Sequence, residues 1–329
     1  MRDPDLLFCL FINKFVKKYK MKVFHSSQSF RSDKKTIVTL GTFDGMHIGH
    51  QAILNKLKLQ KEIYGYETLV LTFFPHPRMV LKTDHKILLL NTIEERIELI
   101  GDFGIDSLVV QEFTEEFAGL AAEEFVKKIL VDQFNIGKII IGYDHRFGKN
   151  RSADIHDLIE FGRKYHFDVE QISAEELDDV SVSSTKIRTA LNQGNVALAK
   201  TYLGYPYMLS GKVVSGKQLG RTIGFPTANI HIAEDYKLVP ANGVYVVGVT
   251  VGEKEYFGML SIGTNPTVGG THKTVEVNIF DFNETIYGET VSLHFLTRIR
   301  DEEKFNSLDE LIEAIKGDER FSKSFIEKL

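Results

Sequence analysis

Thr36-Ile37-Val38-Thr39-Leu40-Gly41-Thr42-Phe43-Asp44-Gly45-Met46-His47-Ile48-Gly49-His50 runs from a short β-branched, apolar stretch through a glycine-punctuated turn. It then enters Ile48–Tyr64, where Ile53, Leu54, Leu57 and Ile63 recur on one side of a helical period with lysines opposite. The reading is strand, loop, helix. Gly41 and Gly45 let the backbone approach a ligand closely, and the helix N-terminus offers N–H groups at the positive end of its dipole. Gly41, Phe43, Asp44 and Gly45 are therefore candidate phosphate contacts. His47 and His50, three apart, face the same side of the first turn, where imidazole N–H groups can meet phosphate oxygens as charge builds. The plainer alternative is a glycine turn with two surface histidines; the strand–loop–helix frame favours the anion site. A zinc pair is a third reading, but no cysteine or Glu-bearing zinc motif adjoins these histidines.

Outward from this motif, Thr68–Phe74, Ser107–Val110, Lys138–Ile141 and Phe167–Ile172 read as further strands. Between them lie helical patterns: one opened by the Thr92-x-x-Glu95 capping box and closed by Gly101 and Gly104, then Ala121–Phe134 and Ile155–Tyr165. Such alternation predicts a parallel sheet covered on both faces. Three segments fall at its strand ends or at a helix start. Phe73-Phe74-Pro75-His76-Pro77 presents His76 between prolines. Gly142-Tyr143-Asp144-His145-Arg146-Phe147-Gly148 ends a later strand, and Ser183-Ser184-Thr185-Lys186-Ile187-Arg188 offers hydroxyl caps and two cations. Taken singly they are two turns and a capped helix. Their shared placement points to one site, at the edge where open α/β sheets bind ligands.

After Gly204 the grammar changes. Gly243–Val251, Tyr256–Ile262, Val275–Phe280 and Thr290–Phe295 are β-rich runs separated by Gly, Asn and Pro, and Leu308–Ile315 reads as a short terminal helix. An antiparallel, closed barrel is predicted, joined to the first half near 204–209. Gly211-x-x-x-x-Gly216-Lys217 imitates a P-loop, but Gln218 stands where a metal-binding Ser or Thr is needed. No internal repeat or low-complexity tract is present.

Length and composition agree with two ordinary domains. The chain has 329 residues, 43% hydrophobic and 26% charged, with a net charge of -5. That balance argues against a protein whose main work is gripping nucleic-acid backbone or an anionic membrane. One cysteine, Cys9, can form neither an internal disulfide nor a cysteine zinc site, so a reducing, cytoplasmic setting fits. Leu6–Ile12 is too short and too acid-flanked for a signal peptide, and residues 1–20 read as an extension ahead of Met21.

Together the motifs resemble the prokaryotic bifunctional riboflavin kinase/FMN adenylyltransferases. The Gly-x-Phe-Asp-Gly-x-His-x-Gly-His box, Phe-x-Pro-His-Pro, Gly-x-Asp-x-Arg-Phe-Gly and Ser-Ser-Thr-x-Ile-Arg are similar to that family's adenylyltransferase half. Gly220–Asn229, Gly243-Val244-Tyr245, Gly263–Thr267, Val275-Glu276-Val277 and Ile286-Tyr287-Gly288 are similar to its kinase half. His145 departs from the family's usual aromatic, and Asn150 and Ala153 from its glycines. The resemblance implies a Rossmann-like nucleotidyltransferase domain over 21–204 and a barrel kinase domain over 205–329. Its substrates would be riboflavin, FMN and ATP with Mg2+, and FAD the final product. It implies that His47 and His50 stabilise adenylyl transfer, that Ser184, Thr185, Arg188 and Gly216 hold ATP, and that His76, Pro77, Asp144 and Arg300 line flavin. Glu276 would be the kinase base, with Thr227 and Asn229 on Mg2+ and ATP phosphate. Two other readings stay open here: an adenylyltransferase whose barrel only binds flavin, and a flavin-binding regulator without activity.

Overall fold

A strand buried at all five positions needs neighbours on both sides and layers on both faces, and β2 (Thr36–Leu40) has them. In the computed structural model, which describes residues 21–81, 87–143, 145–173, 182–216, 219–267 and 270–329, it lies inside a six-stranded parallel sheet. Its partners are β1 (Lys22–Phe24), β3 (Glu67–Phe74), β4 (Ser107–Glu112), β5 (Ile136–Gly142) and β6 (Asp168–Ile172), in the order β1-β4-β3-β2-β5-β6. The chain leaves β2 towards β3 and β4, then returns to the other side for β5 and β6. The C-terminal end of β2 is thus the point where strand order reverses, the place where such sheets open a crevice. Expectation and structure agree on five strands; β1, three residues long, is too short to carry a pattern.

Helix α1 (Ile48–Tyr64) spans the predicted residues and ends on Gly65 in the left-handed region (φ 67°). Its stripe needs one correction: Leu54 and Leu57 are buried, but Ile63 is 70% exposed. The inward position at that turn belongs to Lys61, whose Nζ meets Asp106 Oδ1 at 2.6 Å. Helix α2 (Ile93–Asp102) closes as expected, with Gly104 N donating to Gly101 O. The stretch predicted as one α-helix over 121–134 is instead Ala122–Phe125 followed by a π-helix over Val126–Gln133. The wider winding buries Val126, Ile129, Leu130 and, just beyond, Phe134 against the sheet. Helix α3 (Ile155–Tyr165) begins with a capping box on Asp154.

The second half closes a six-stranded antiparallel barrel in the order β10-β11-β8-β7-β12-β9. Its strands are β7 (Met208–Val214), β8 (Ala228–His231), β9 (Gly243–Val251), β10 (Lys254–Thr267), β11 (Gly270–Ile279) and β12 (Thr290–Arg300). Sequence patterning missed β8, whose first two residues, Ala228 and Asn229, close the Gly220–Asn229 motif. The terminal helix α6 (Leu308–Ile326) runs eleven residues past the predicted end, carried by Asp318 and Ser322, both buried.

By its contacts the described chain forms two compact units: residues 21–88 with 93–182, and residues 89–92 with 183–329. The barrel's unit therefore reaches back beyond the change of grammar at 204–209, taking in α4 (Ser184–Asn192) and α5 (Val196–Leu203). Ala241 N donates to Leu191 O at 3.0 Å, and a Cβ on Gly194 would stand 2.7 Å from the Arg298 guanidinium. The four residues 89–92 join the same unit through Leu89 and the buried Lys237, whose Nζ donates to Leu90 O at 2.7 Å.

Candidate active sites

The loop after β2 is backbone under tension. Phe43 (φ 49°) and Met46 (φ 37°) occupy the left-handed region without being glycine, and Gly45 (φ 87°) lies between them. Each such non-glycine residue costs about 1–3 kcal/mol, so surrounding structure must enforce it. Phe43 and Met46 are buried. Met46 N donates to Phe43 O, and Gln51 Nε2, from α1, donates to Met46 O at 2.8 Å. Two glycines make the packing possible: a Cβ on Gly41 would press on the Phe43 ring at 3.3 Å, and one on Gly49 would meet His47 Nδ1 at 3.3 Å. Asp44 is buried in the same loop.

The loop delivers two stacked imidazoles. The His47 and His50 rings lie 3.7 Å apart and 17° from parallel, and Phe43 tilts against His50 at 5.1 Å. His50 Nδ1 is buried with no hydrogen-bond partner among the described residues. Burial, then the neighbouring His47 and Arg96, hold the His50 imidazole well below its ordinary pKa, so it is neutral at pH 7. A neutral ring still donates one N–H, and it can take up charge only when an anion arrives to balance it. The N-cap residue of α1, His47, makes no side-chain cap hydrogen bond to the first turn.

His76 caps the short helix Pro77–Val80 at the end of β3, beside β2 in the sheet. Its Nδ1 accepts from Arg78 N at 3.1 Å, which puts the ring proton on Nε2. Asp144 lies outside the described residues; its neighbour His145 follows β5, on the other flank of β2, and stacks on Phe147. Ser184, Thr185 and Arg188 occupy the first two turns of α4, where Ser183 Oγ accepts from Lys186 N. That helix groups with the barrel. Sequence reasoning missed Arg96 on α2, whose side chain is wholly buried. The available signal was its spacing: Arg96 stands one helical turn before Ile100, a core position.

In the barrel, register arranges the candidates. Asn229 on β8 pairs with Glu276 on β11, Glu276 with Ser261 on β10, Ser261 with Val244 on β9, and Val244 with Arg300 on β12. Paired residues share a face of a sheet. Val275 and Val277, on either side of Glu276, are buried in the barrel interior, so this row lies on the outer surface. Thr227 Oγ1 donates to Glu276 Oε2 at 3.1 Å, and Asn278 Nδ2 holds Pro226 O at 2.7 Å. Glycines again make room: a Cβ on Gly216 would stand 2.2 Å from Asn229 Nδ2, and one on Gly220 would stand 2.2 Å from Phe225 O. Arg300, placed at the far end of the row, has its guanidinium engaged by Asp318 of α6 through Nε at 2.9 Å and a second nitrogen at 2.8 Å.

The geometry can now be set beside known proteins. A family model for FAD synthetase matches residues 29–186, and one for riboflavin kinase matches 203–326. Curated bifunctional riboflavin kinase/FMN adenylyltransferases are similar over nearly their whole length. The one from Escherichia coli (strain K12) is 37% identical over 88% of this chain and 92% of its own. That from Bacillus subtilis (strain 168) is 37% identical over 87% and 91%. A solved structure described as a macrolide-efflux protein from Streptococcus pneumoniae is 35% identical, with a TM-score of 0.84 over 92% of this chain and 98% of that one. Among the described residues no helix is long and apolar enough to cross a membrane. Similarity of this extent in both halves, in the same order, carries the assignment: the chain belongs to the bifunctional riboflavin kinase/FMN adenylyltransferase family.

Proposed function

We propose that this chain makes FAD in two steps, phosphorylating riboflavin on the barrel's outer face and adenylylating FMN at the loop after β2. The observation that carries the reading is the pairing of Glu276 with Thr227 and Asn229 on one face of the barrel. Riboflavin's 5′-hydroxyl is a poor nucleophile. Glu276 takes its proton as the oxygen bonds to the γ-phosphorus of ATP, and ADP leaves with the electron pair of the broken P–O bond. The Thr227 hydroxyl and the Asn229 amide and Glu276 carboxylate oxygens are hard donors free of sulfur and imidazole, a set that fits Mg2+. Thr227 and Asn229 would hold the ion, with Gly216 leaving the space that Asn229 fills. Magnesium bound there would supply charge neutralisation between phosphate oxygens. Arg300 serves the flavin side indirectly, by fixing α6 beside the row.

FMN needs no base, because its phosphate is already ionised. A phosphate oxygen attacks the α-phosphorus of ATP, the bond to the β-phosphate oxygen breaks, and pyrophosphate departs. Catalysis then reduces to aligning two anions and stabilising charge on the attacked phosphoryl group. His47, His50 and the first-turn N–H groups of α1 do the stabilising, with Gly41, Phe43, Asp44 and Gly45 shaping the loop. His76, Pro77 and Asp144 shape the FMN side; Ser184, Thr185 and Arg188 lie in the other compact unit. Incubation with riboflavin, ATP and Mg2+, followed by chromatography of the flavins, tests the whole reading. FMN and then FAD should appear; FAD only from added FMN would reduce the barrel to a binding module, and neither product would refute catalysis.

A further inference from the structure

We infer that Arg96 is the positioning residue of the adenylyl-transfer loop, pinning the end of β3 to that loop and standing as a fixed positive charge behind His50. The inference rests on reading the His47/His50 loop as the adenylyl-transfer site. The side chain is among the largest wholly buried ones in the chain, on a helix whose neighbouring inward positions are Leu99 and Ile100. Removing a guanidinium from water is costly, and a methionine or leucine would fill this position more cheaply. A purely structural helix contact does not require a cation here, so the useful question is what the guanidinium holds.

It holds the point where β2 stops. Gly41 N donates to Leu71 O at 3.0 Å, a backbone bond that joins β3 to the chain leaving β2. Two residues on, Phe73 O faces the same side of β3, where β2 has already turned away. Arg96 donates through one terminal nitrogen to Phe73 O at 3.1 Å and to Thr72 Oγ1 at 3.3 Å. The Thr72 hydroxyl donates in turn to Thr42 O at 3.2 Å. The chain Arg96–Thr72–Thr42 therefore ends at the residue immediately before Phe43, the first of the positive-φ positions. A loop in an unfavourable backbone conformation is being held at its entry from a rigid helix.

The charge matters as well as the hydrogen bonds. The groups acting on His50 are His47, stacked on it from the same helix turn, and Arg96 from α2. Two acids are buried beside these groups in sequence: Asp44, six residues before His50, and Glu95, next to Arg96. Burial is the largest cause that holds the His50 imidazole neutral and His47 the next; the permanent charge of Arg96 adds to both.

The test uses the full-length enzyme with Arg96→Met and Arg96→Lys, reading both activities, melting temperature and the titration of the His50 imidazole by NMR. Arg96→Met should lower turnover of FMN to FAD by about tenfold or more, since displacement of reacting groups by an ångström is costly. Riboflavin phosphorylation should be unchanged, and His50 should titrate at higher pH. Arg96→Lys should return the His50 midpoint towards wild type while recovering only part of the turnover, because an ammonium lacks the planar fork. Unaltered FAD formation in Arg96→Met, or an unmoved His50 midpoint, overturns the inference. Equal loss of both activities with a fallen melting temperature also overturns it, in favour of general packing. The His47→Ala/His50→Ala variant separates the two layers: if it makes FAD normally the loop reading itself fails, and if it does not while Arg96→Met does, only the role of Arg96 fails.

Discussion

Replacing Gly216 with alanine adds one methyl group beside Asn229, in the proposed riboflavin kinase site. The added Cβ would stand 2.2 Å from Asn229 Nδ2 and 2.7 Å from Asn229 Oδ1, whereas ordinary contact begins near 3.4 Å. The backbone of Asn229 cannot retreat, because Asn229 is paired with Val214 on one side and Glu276 on the other. Only its amide can move, by roughly 1 Å, and a misplacement of that size at a catalytic centre costs on the order of 100-fold in rate. Gly216 does not occupy a positive-φ conformation, so alanine adds no backbone strain. Gly216→Ala should therefore fold with a near-native melting temperature, lose riboflavin phosphorylation by about two orders of magnitude, and adenylylate supplied FMN normally. Separate assays of FMN from riboflavin and FAD from FMN, on one preparation, read both effects. Kinase turnover within about twofold of wild type would show that Asn229 can move without consequence, and that its oxygen holds neither metal nor phosphate.

Four further outcomes follow from the same structure. Glu276→Gln keeps the Thr227 contact but cannot accept a proton, so phosphorylation should fall at least ~100-fold with little change in riboflavin or ATP binding; normal turnover would make Glu276 an ordinary strand residue. Changing His47 and His50 together to alanine should cut FAD formation ~100-fold or more while FMN accumulates, and unaffected FAD synthesis would remove them from the mechanism. Burial, with Glu98 one turn away, pushes the Asp102 carboxyl up to about 7. The folded state then holds that proton more tightly than the unfolded chain, so stability is full near pH 4 and declines as pH rises through 7. Asp102→Asn should raise the melting temperature at pH 8 and barely change it at pH 4; a difference independent of pH would contradict this. Finally, fragments 183–329 and 205–329 should both phosphorylate riboflavin without making FAD, the longer one melting higher because α4 and α5 pack on the barrel. Equal melting points would show that those helices add nothing to it.

Much of this was legible because burial imposes periodicity. β2 and α1 emerge at their observed limits, since a doubly covered strand and an amphipathic helix each write a pattern several residues long. The motif residues His47, His50, Thr227 and Glu276 were equally readable. What escaped depends on partners remote in sequence. The terminal helix expected to end at Ile315 runs on because Asp318 is held in α6 by Arg300, and its carbonyl accepts from Ser322 Oγ. β8 is four residues long and is defined by its ladders to β7 and β11 rather than by its own composition. Arg96 reads as a solvated helix charge until β3 ends beside it. The irregularity between Arg298 and Arg300, which sets Arg300 opposite Val244, leaves no trace in the sequence.

The row Asn229–Glu276–Ser261–Val244–Arg300 makes the proposed kinase face a matter of counting. None of these side chains is brought to its neighbour by a loop that could adjust; each is placed by how many residues its strand has run since pairing began. Deleting or inserting one residue in β11 would leave every backbone hydrogen bond satisfiable and turn Glu276 into the barrel, exchanging it with Val275 or Val277. Such a change would be ruinous where a longer surface loop would be harmless. Along these strands the row can accept a substitution but not a change of length, which is harmless only where the strands hand over to one another.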